Sequence, residues 1–205
     1  MKRKAYEIIY EDENIIAVNK SREVFSVATD DIKTRRANLL FYLQMYLRKK
    51  NEECFIVHRL DYETSGVMVF AKNIRYKTLL QKQFENREVE RRYEAVIKEK
   101  IPINTQFRFI DEINGKKSIT FVKAINYINI GTALDIKIET GRHNQIRIAL
   151  KNRNLTLLGD KRFSKDIAKR LYLNSYLLAF KEELEFNKNR FEVQPLWIRR
   201  EDGED

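Results

Sequence analysis

The sequence predicts an α+β protein with a largely antiparallel or mixed β-sheet core flanked by helices. Short runs of apolar and β-branched residues dominate the 205-residue chain, and only three segments have apolar residues at helical spacing. Strands and helices do not alternate regularly, as the β-α-β units of a parallel sheet would require. With six glycines and two prolines in the chain, nothing marks an interdomain linker. We therefore expect one domain over residues 1–205.

The first half of the chain is predicted to hold four strands and two helices. Two β-type runs separated by the polar stretch EDEN predict an opening hairpin. Apolar residues recur at helical spacing in TRRANLLFYLQMYLRKKN and in NIRYKTLLQKQFENR, where Asn73 supplies an N-cap. The predicted strands cover residues 6–10, 15–19, 55–60 and 66–72, and the predicted helices cover 34–51 and 73–87.

The second half is predicted to be mostly strand, with one short helix after the TGR corner. The stretch NGKK predicts a turn between two of the strands. The predicted strands cover 90–99, 105–111, 118–127, 132–140, 171–180, 183–187 and 190–194, and the predicted helix covers 143–153. The closing EDGED, residues 201–205, is expected to be a frayed acidic tail.

The charge balance favours a polyanionic partner. Forty Lys and Arg residues stand against 30 Asp and Glu residues, which gives a net charge of +10. RNA or DNA is therefore the first partner to consider. No stretch approaches the roughly 20 consecutive apolar residues of a membrane span, and acidic residues interrupt the N-terminus where a signal peptide is apolar. We expect a cytoplasmic protein without a membrane partner.

Several kinds of site are missing from the sequence. His58, His143 and the single Cys54 form no HExxH or paired CxxC pattern, and Cys54 lies in an apolar run typical of a buried side chain. No GxxxxGK or GxGxxG stretch is present to bind a nucleotide. The sequence therefore predicts neither a metal nor a cofactor.

One polar stretch interrupts two apolar runs, in HRLDYETSGVMVFAK at residues 58–72. Loops held between buried strands are where sites are usually built. Arg59 next to Asp61 would favour the ionised carboxylate, which can act as a nucleophile or base. The same residues are also typical of a capped turn in which Arg59 is a structural ion-pair partner of Asp61. The stretch alone leaves both interpretations open.

The stretch closely resembles the signature HRLD-x-x-TSG-(apolar)-AK of RNA pseudouridine synthases of the RluA type. Further matches follow in family order: ERRYEAVI resembles the K-x-Y-x-A strand and TGRHNQIRIAL the T-G-R-x-x-Q-I-R motif. YEDENIIAVNKSREV resembles the family's opening, LLGDKRF its short G-D segment, and LYLNSYLLAF and FEVQPLW its closing strands. The resemblance extends from about Tyr6 to Trp197.

The resemblance implies the pseudouridine synthase fold and an isomerase that converts uridine to pseudouridine in ribosomal or transfer RNA without a cofactor. It implies Asp61 as the catalytic carboxylate, Tyr93 as the stacking tyrosine and Arg147 as the basic partner of Asp61. Arg59 would fill the gap that the flipped base leaves. The RNA-binding residues that it implies are Lys20, His58, Arg59, Thr64, Arg142 and Gln145. We expect RNA as the partner of a monomeric protein.

Three departures from the family pattern accompany this match. Pro and Gly are missing after Lys20, and Asn144 and Asn174 stand where histidines are usual. The N-terminal S4-type domain of many relatives is also missing from the pattern, so RNA recognition is expected from this domain itself. These departures leave open a noncatalytic RNA-binding or chaperone protein with the same fold. A weaker alternative uses Asp61 and Glu63 as paired carboxylates of a glycoside or nucleoside hydrolase.

Overall fold

The computed structural model describes residues 4–181 and 187–198, and divides the chain into two compact units. The first unit comprises Met1–Glu90 and Leu177–Val193, and the second comprises Arg91–Tyr176 and Gln194–Asp205. The predicted α+β class is confirmed by both units, in which strands pair antiparallel and helices pack on them. The predicted strand at 183–187 and the predicted acidic tail lie essentially outside the described residues.

The described residues contain ten strands, three α-helices and one short 3₁₀ helix. The strands are β1 (Tyr6–Glu11), β2 (Ile15–Lys20), β3 (Phe55–Ile56), β4 (Ser65–Ala71), β5 (Glu90–Ile97), β6 (Gln106–Ile113), β7 (Lys116–Ile128), β8 (Gly131–Ile138), β9 (Leu173–Ala179) and β10 (Arg190–Glu192). The helices are α1 (Leu39–Arg48), α2 (Ile74–Glu85) and α3 (Gln145–Lys151), and the 3₁₀ helix is Ile32–Thr34.

The first unit is built on the predicted hairpin of β1 and β2. The Asp12 carboxylate closes its turn by accepting from the amides of Asn14 and Ile15, each at 2.8 Å. β2 then pairs antiparallel with β4, and their register places Lys20 opposite Gly66. This register brings the end of β2 to the start of β4, directly after the Asp61 loop.

The helices of the first unit begin where asparagines cap them. The Asn38 side chain accepts from the Phe41 amide at 2.9 Å, so α1 starts after residue 38 and not at the predicted residue 34. Asn73 caps α2 as predicted, and α2 packs against β4. The core of this unit consists of apolar side chains from β2, β4, α2 and β10, including Ile15, Val67, Val69, Leu80 and Phe191.

The second unit is an antiparallel sheet in the order β5, β8, β7, β6. The predicted NGKK turn joins β6 to β7, with Asn114 and Gly115 both at positive φ as a tight hairpin requires. α3 packs against β6 and β7. This packing places the functional motif TGRHNQIR at one face of the sheet.

No helix in residues 4–181 and 187–198 is long and apolar enough to cross a membrane.

Candidate active site

The residues predicted to form the site fall in both units. The Asp61 loop belongs to the first unit, and Tyr93 and Arg147 belong to the second. Each group is therefore built up separately from the contacts within its own unit.

The Asp61 loop occupies residues 57–64, between β3 and β4. Its C-terminal end is a turn in which the Thr64 amide donates to the Asp61 carbonyl at 3.2 Å. Every residue of β4 is buried, as the apolar run predicted, so the loop ends on a rigid strand. Asp61 itself is half-buried. The loop therefore presents a partly accessible carboxylate on a fixed support.

The segment from Lys20 to Ser26 is hydrogen-bonded to the loop on both sides of Asp61, and we call this set of hydrogen bonds the grip. The Ser26 hydroxyl donates to the Leu60 carbonyl at 2.7 Å, and the Leu60 amide donates back to the same hydroxyl at 3.1 Å. On the other side, the Glu23 amide donates to the Tyr62 carbonyl at 2.8 Å. These bonds fix the main chain immediately before and after the carboxylate.

Lys20 completes this grip from the end of β2. Its side chain is 0% exposed. Its ammonium donates to the carbonyls of Val24 at 2.8 Å, Ser21 at 3.1 Å and Tyr62 at 3.4 Å. Lys20 thereby holds the segment and the Asp61 loop together, because a buried ammonium requires partners of this kind. Its predicted RNA contact stays a prediction.

His58 and Thr64 also have structural roles within the first unit. The His58 Nε2 atom accepts from the Val69 amide at 3.0 Å, and its ring stacks on Phe84 with centroids 4.8 Å apart. This side chain takes over a strand partner of β4, which explains why β3 ends at Ile56 and not at the predicted residue 60. Thr64 is buried. The predicted RNA contacts of His58 and Thr64 stay predictions.

Arg59 differs from its neighbours because it is exposed. It forms no ion pair with any residue that the structure describes, so the alternative in which it pairs with Asp61 is not found. An exposed guanidinium two residues from the carboxylate is suited to contact RNA. That role stays a prediction for Arg59.

Tyr93 lies on β5, opposite Ile136 of β8, and is 8% exposed. Beside it, Arg92 donates to the Asp135 carboxylate at 2.7 Å, and the Tyr176 hydroxyl donates to the same carboxylate at 2.9 Å. Burial, followed by the charge of Asp135, raises the pKa of Tyr176 far above its ordinary value. These neighbours fix the strand, while base stacking by Tyr93 stays a prediction.

The TGR corner is built around Gln145, whose amide group is fully used inside the protein. Its oxygen accepts from the Thr140 hydroxyl at 2.7 Å and from the Arg142 amide at 3.0 Å. Its nitrogen donates to the Ile119 carbonyl at 2.9 Å and to the Thr120 hydroxyl at 3.0 Å. All of its donors and acceptors are used in these bonds, so Gln145 supports the corner, and its predicted RNA contact stays a prediction.

Arg142 and Asn144 are the other two residues of this corner that the sequence analysis singled out. Arg142 is half-buried and donates through Nε to the Lys117 carbonyl at 3.2 Å, and an RNA contact by its other nitrogens stays a prediction. Asn144 starts α3 at φ 55°, in the left-handed region that asparagine tolerates well. Replacement of the usual histidine is therefore compatible with this backbone.

Arg147 is buried, with 4% exposure, and forms a bidentate ion pair with Asp160. Its Nη2 lies 2.7 Å and its Nε 2.9 Å from the two carboxylate oxygens. The face of the guanidinium lies 5.1 Å from the Phe163 ring centroid. The predicted pair with Asp61 stays a prediction, whereas the bidentate partner within this unit is Asp160.

Asp160 is the functional candidate that the sequence did not single out. It is 0% exposed, and besides Arg147 it accepts from the amides of Arg162 and Phe163, both at 3.0 Å. Gly159 precedes it at φ 74°, where an added Cβ would lie 1.6 Å from the Arg170 carbonyl. The only signal was the G-D pair in LLGDKRF, which by itself also fits an ordinary turn.

Glu94, next to Tyr93, is a second buried carboxylate that the sequence did not mark. It accepts from the Asn174 amide group at 2.8 Å and from the main-chain amides of Leu196 and Trp197, each at 2.7 Å. The departure at Asn174 thus supplies an uncharged donor to a carboxylate that is 0% exposed. The role of Asn174 is structural.

The described residues contain no cluster of three or more His, Cys, Asp or Glu side chains that could hold a metal ion. Burial raises the pKa of the Cys54 thiol to about 12, so it is protonated at neutral pH. Neither observation assigns a cofactor to the chain.

Comparisons of the sequence with a family profile and with individual proteins identify the same family. The sequence profile described as RNA pseudouridylate synthase matches residues 14–152. Ribosomal large subunit pseudouridine synthase D of Borreliella burgdorferi is 29% identical over 205 residues, covering 90% of this chain and 62% of the relative. The proteins of the same name from Vibrio cholerae and Escherichia coli are 33% and 31% identical, each over 75% of this chain and 51% of the relative. The chain thus spans roughly half to three-fifths of these relatives.

Two solved human structures share the fold. RNA Pseudouridylate Synthase Domain Containing 1 aligns with a TM-score of 0.69 and 20% identity over 95% of this chain and 86% of the human chain. RNA Pseudouridylate Synthase Domain Containing 4 aligns with a TM-score of 0.68 and 20% identity over 84% and 83%. The predicted pseudouridine synthase fold is confirmed.

Proposed function

Because this chain belongs to the RNA pseudouridylate synthase family, we propose that it isomerises uridine to pseudouridine in ribosomal RNA. The observation that carries the proposal is the family match over residues 14–152, which includes Asp61, Tyr93 and Arg147. We place ribosomal RNA before transfer RNA because the relatives above are named for the large ribosomal subunit. A substrate of this kind favours a cytoplasmic location.

We propose Asp61 as the catalytic carboxylate. Cleavage of the bond between N1 and C1′ builds positive charge on the sugar, which a fixed carboxylate stabilises. After the base turns, C5 bonds to C1′, the C5 proton leaves and N1 gains a proton. Atoms and electrons balance within the nucleotide, so the reaction needs no cofactor. The grip on residues 60–62 supports the proposal, because it holds the carboxylate still while the base moves.

Tyr93 and Arg147 are the proposed partners of Asp61. A flipped uridine loses a few kcal/mol of stacking, and a tyrosine that stacks on it returns about 1 to 3 kcal/mol. Arg147, held on one edge by Asp160, is suited to orient a second carboxylate with its remaining nitrogen, Nη1. The family match crosses the boundary at Glu90, which supports treating both units as one catalytic domain. We propose a monomer that contacts RNA through Arg59 and Arg142.

The test compares the wild-type protein with Asp61→Asn and, as a matched control in the same loop, Glu63→Gln. Each is incubated with large-subunit ribosomal RNA lacking pseudouridine, and the modified sites are mapped. Wild type and Glu63→Gln should form the same sites, whereas Asp61→Asn should form none. Equal modification by Asp61→Asn would rule the mechanism out. RNA binding without isomerisation by the wild type would indicate the noncatalytic alternative, and release of free uracil would indicate a hydrolase.

A further inference from the structure

The segment KRFSKDIAKR, residues 161–170, is a strongly basic loop that follows Asp160 in the second unit. We call it the cationic loop. It contains five Lys and Arg residues and one acid, Asp166. Four of the cations are exposed: Lys161, Arg162, Lys165 and Lys169. None of these four forms an ion pair with an acid in the part of the chain that the structure describes.

The single acid of the cationic loop, Asp166, accepts hydrogen bonds from nearby main-chain amides. The Asp166 carboxylate accepts from the Gly159 amide at 2.7 Å and from the Ala168 amide at 2.9 Å. The Ser164 hydroxyl accepts from the Leu157 amide at 3.2 Å, which ties the middle of the loop to the unit. These bonds give the loop a defined shape. Its cations therefore lie on a supported main chain, and the carboxylate of Asp166 accepts hydrogen bonds from main-chain amides.

Both ends of the cationic loop are fixed by cation–π contacts. At the first end, the Phe163 ring lies 5.1 Å from the guanidinium of Arg147 and 5.1 Å from that of Arg162. At the other end, Arg170 lies 5.0 Å from the Trp197 ring and 5.5 Å from the Tyr172 ring. The exposed Arg162 thus shares one aromatic ring with the buried Arg147.

We propose that the cationic loop binds the phosphates of RNA nucleotides that flank the uridine being modified. The inference rests on the proposed function, because that function places the target uridine near Arg147. Phe163 connects Arg147 directly to Arg162, one of the exposed cations of the cationic loop, so an RNA strand that leaves the uridine has supported cations beside it. Among polyanions, RNA fits this row because each nucleotide presents one phosphate to one cation.

The test uses Lys161→Gln/Lys169→Gln, which removes two charges from exposed ends of the cationic loop. The matched control is Lys49→Gln/Lys82→Gln, which removes two charges from exposed positions of the first unit, one directly after α1 and one in α2. Binding to deproteinised large-subunit ribosomal RNA is measured over a range of salt concentrations, and isomerisation is measured at low and saturating RNA. All three proteins should unfold at the same temperature, since the changed side chains are exposed.

The loop variant should bind RNA about tenfold more weakly at low salt, and its slope of log affinity against log salt should be smaller by about 1.4, or roughly 0.7 for each lost contact. Its KM should rise while kcat at saturating RNA stays that of the wild type. A slope and KM equal to those of the control would overturn the inference. If no variant isomerises RNA, the proposed function fails, while the salt slope still decides whether the loop binds RNA.

A second outcome would also overturn the inference. If the loop variant modifies deproteinised RNA normally but loses activity only on ribosomal particles, the loop binds a protein of the particle and not the RNA.

Discussion

The Asp61 loop of the first unit and the Arg147–Asp160 pair of the second unit fix charged side chains by different means. Around Asp61, the grip consists of bonds to the main chain of its neighbours Leu60 and Tyr62. Arg147 is instead held through its own charge, by a buried carboxylate that matches its geometry. Several modest hydrogen bonds support the loop, whereas a bidentate pair of opposite charges supports Arg147. Damage to the loop should therefore be graded, and damage to the pair should be steep.

The largest expected effect comes from Asp160→Asn, which removes the negative charge that pairs with the buried Arg147. Breaking such a pair costs about 3 to 5 kcal/mol of the free energy of unfolding. Urea denaturation measures this loss. Asp166→Asn is the matched control in the same segment, because it also neutralises a carboxylate that accepts main-chain amides. Its loss should stay near 1 kcal/mol. Similar losses for the two variants would show that the ion pair has no special weight.

Lys20→Met should come next, because it removes the ammonium but keeps a side chain of similar length. Three main-chain carbonyls then lose a donor in the interior, at a cost of about 2 to 4 kcal/mol in the free energy of unfolding. The same substitution at the exposed Lys4 should change stability by less than about 0.5 kcal/mol. A stable Lys20→Met protein, measured by urea denaturation, would contradict the assignment of Lys20 as a support of the loop.

Ser26→Ala tests a single pair of bonds in the grip. The Leu60 amide and carbonyl both lose their partner, so the free energy of unfolding should fall by about 1 to 2 kcal/mol. The initial rate of pseudouridine formation should fall as well, because the chain before Asp61 becomes less fixed. Ser21→Ala removes an exposed bond to Lys4 and serves as the control, with wild-type rate expected. Equal rates for both variants would show that the hydrogen bonds of Ser26 do not affect catalysis.

The sequence predicted most of the fold because strands and helices are local patterns. The helix capped by Asn73 and the turn at Asn114 and Gly115 follow from side-chain chemistry within a few residues. The short β3 did not follow, because the His58 side chain replaces a main-chain partner 11 residues further along the chain. The start of α1 was also missed, since the capping asparagine lies inside a run that reads as helical throughout.

The site was predicted less completely than the fold. The motifs contain no sign that Lys20 and Gln145 are hydrogen-bonded inside the protein, and the predicted RNA contacts of both residues stay predictions. Burial depends on strand register and helix packing, which a motif does not contain. Asp160 was not singled out because its partner Arg147 is 13 residues away and only the folded chain shows that they meet.

Support by a charged pair depends on pH, whereas support by main-chain hydrogen bonds does not. Glu11 is half-buried and accepts from Lys50 at 2.8 Å, Tyr46 at 2.9 Å and Lys72 at 3.2 Å. Burial alone would raise the pKa of Glu11, but these bonds outweigh burial and hold its pKa below the ordinary value of 4.5. The ionised carboxylate thus contributes stability that is present above pH 4.5 and is lost as the pH falls below it.

Glu11→Gln should therefore lower the free energy of unfolding by about 1 kcal/mol at pH 7, and the difference from wild type should shrink as the pH falls below about 4.5. Glu13→Gln, an exposed neighbour, should differ little from wild type at either pH. The Ser26→Ala difference should be the same at pH 7 and pH 4, because none of its bonds involves a group that titrates in this range. Urea denaturation at both pH values measures all three. A pH-independent Glu11→Gln difference would mean that the stability contributed by Glu11 comes from the shape of its side chain and not from its charge.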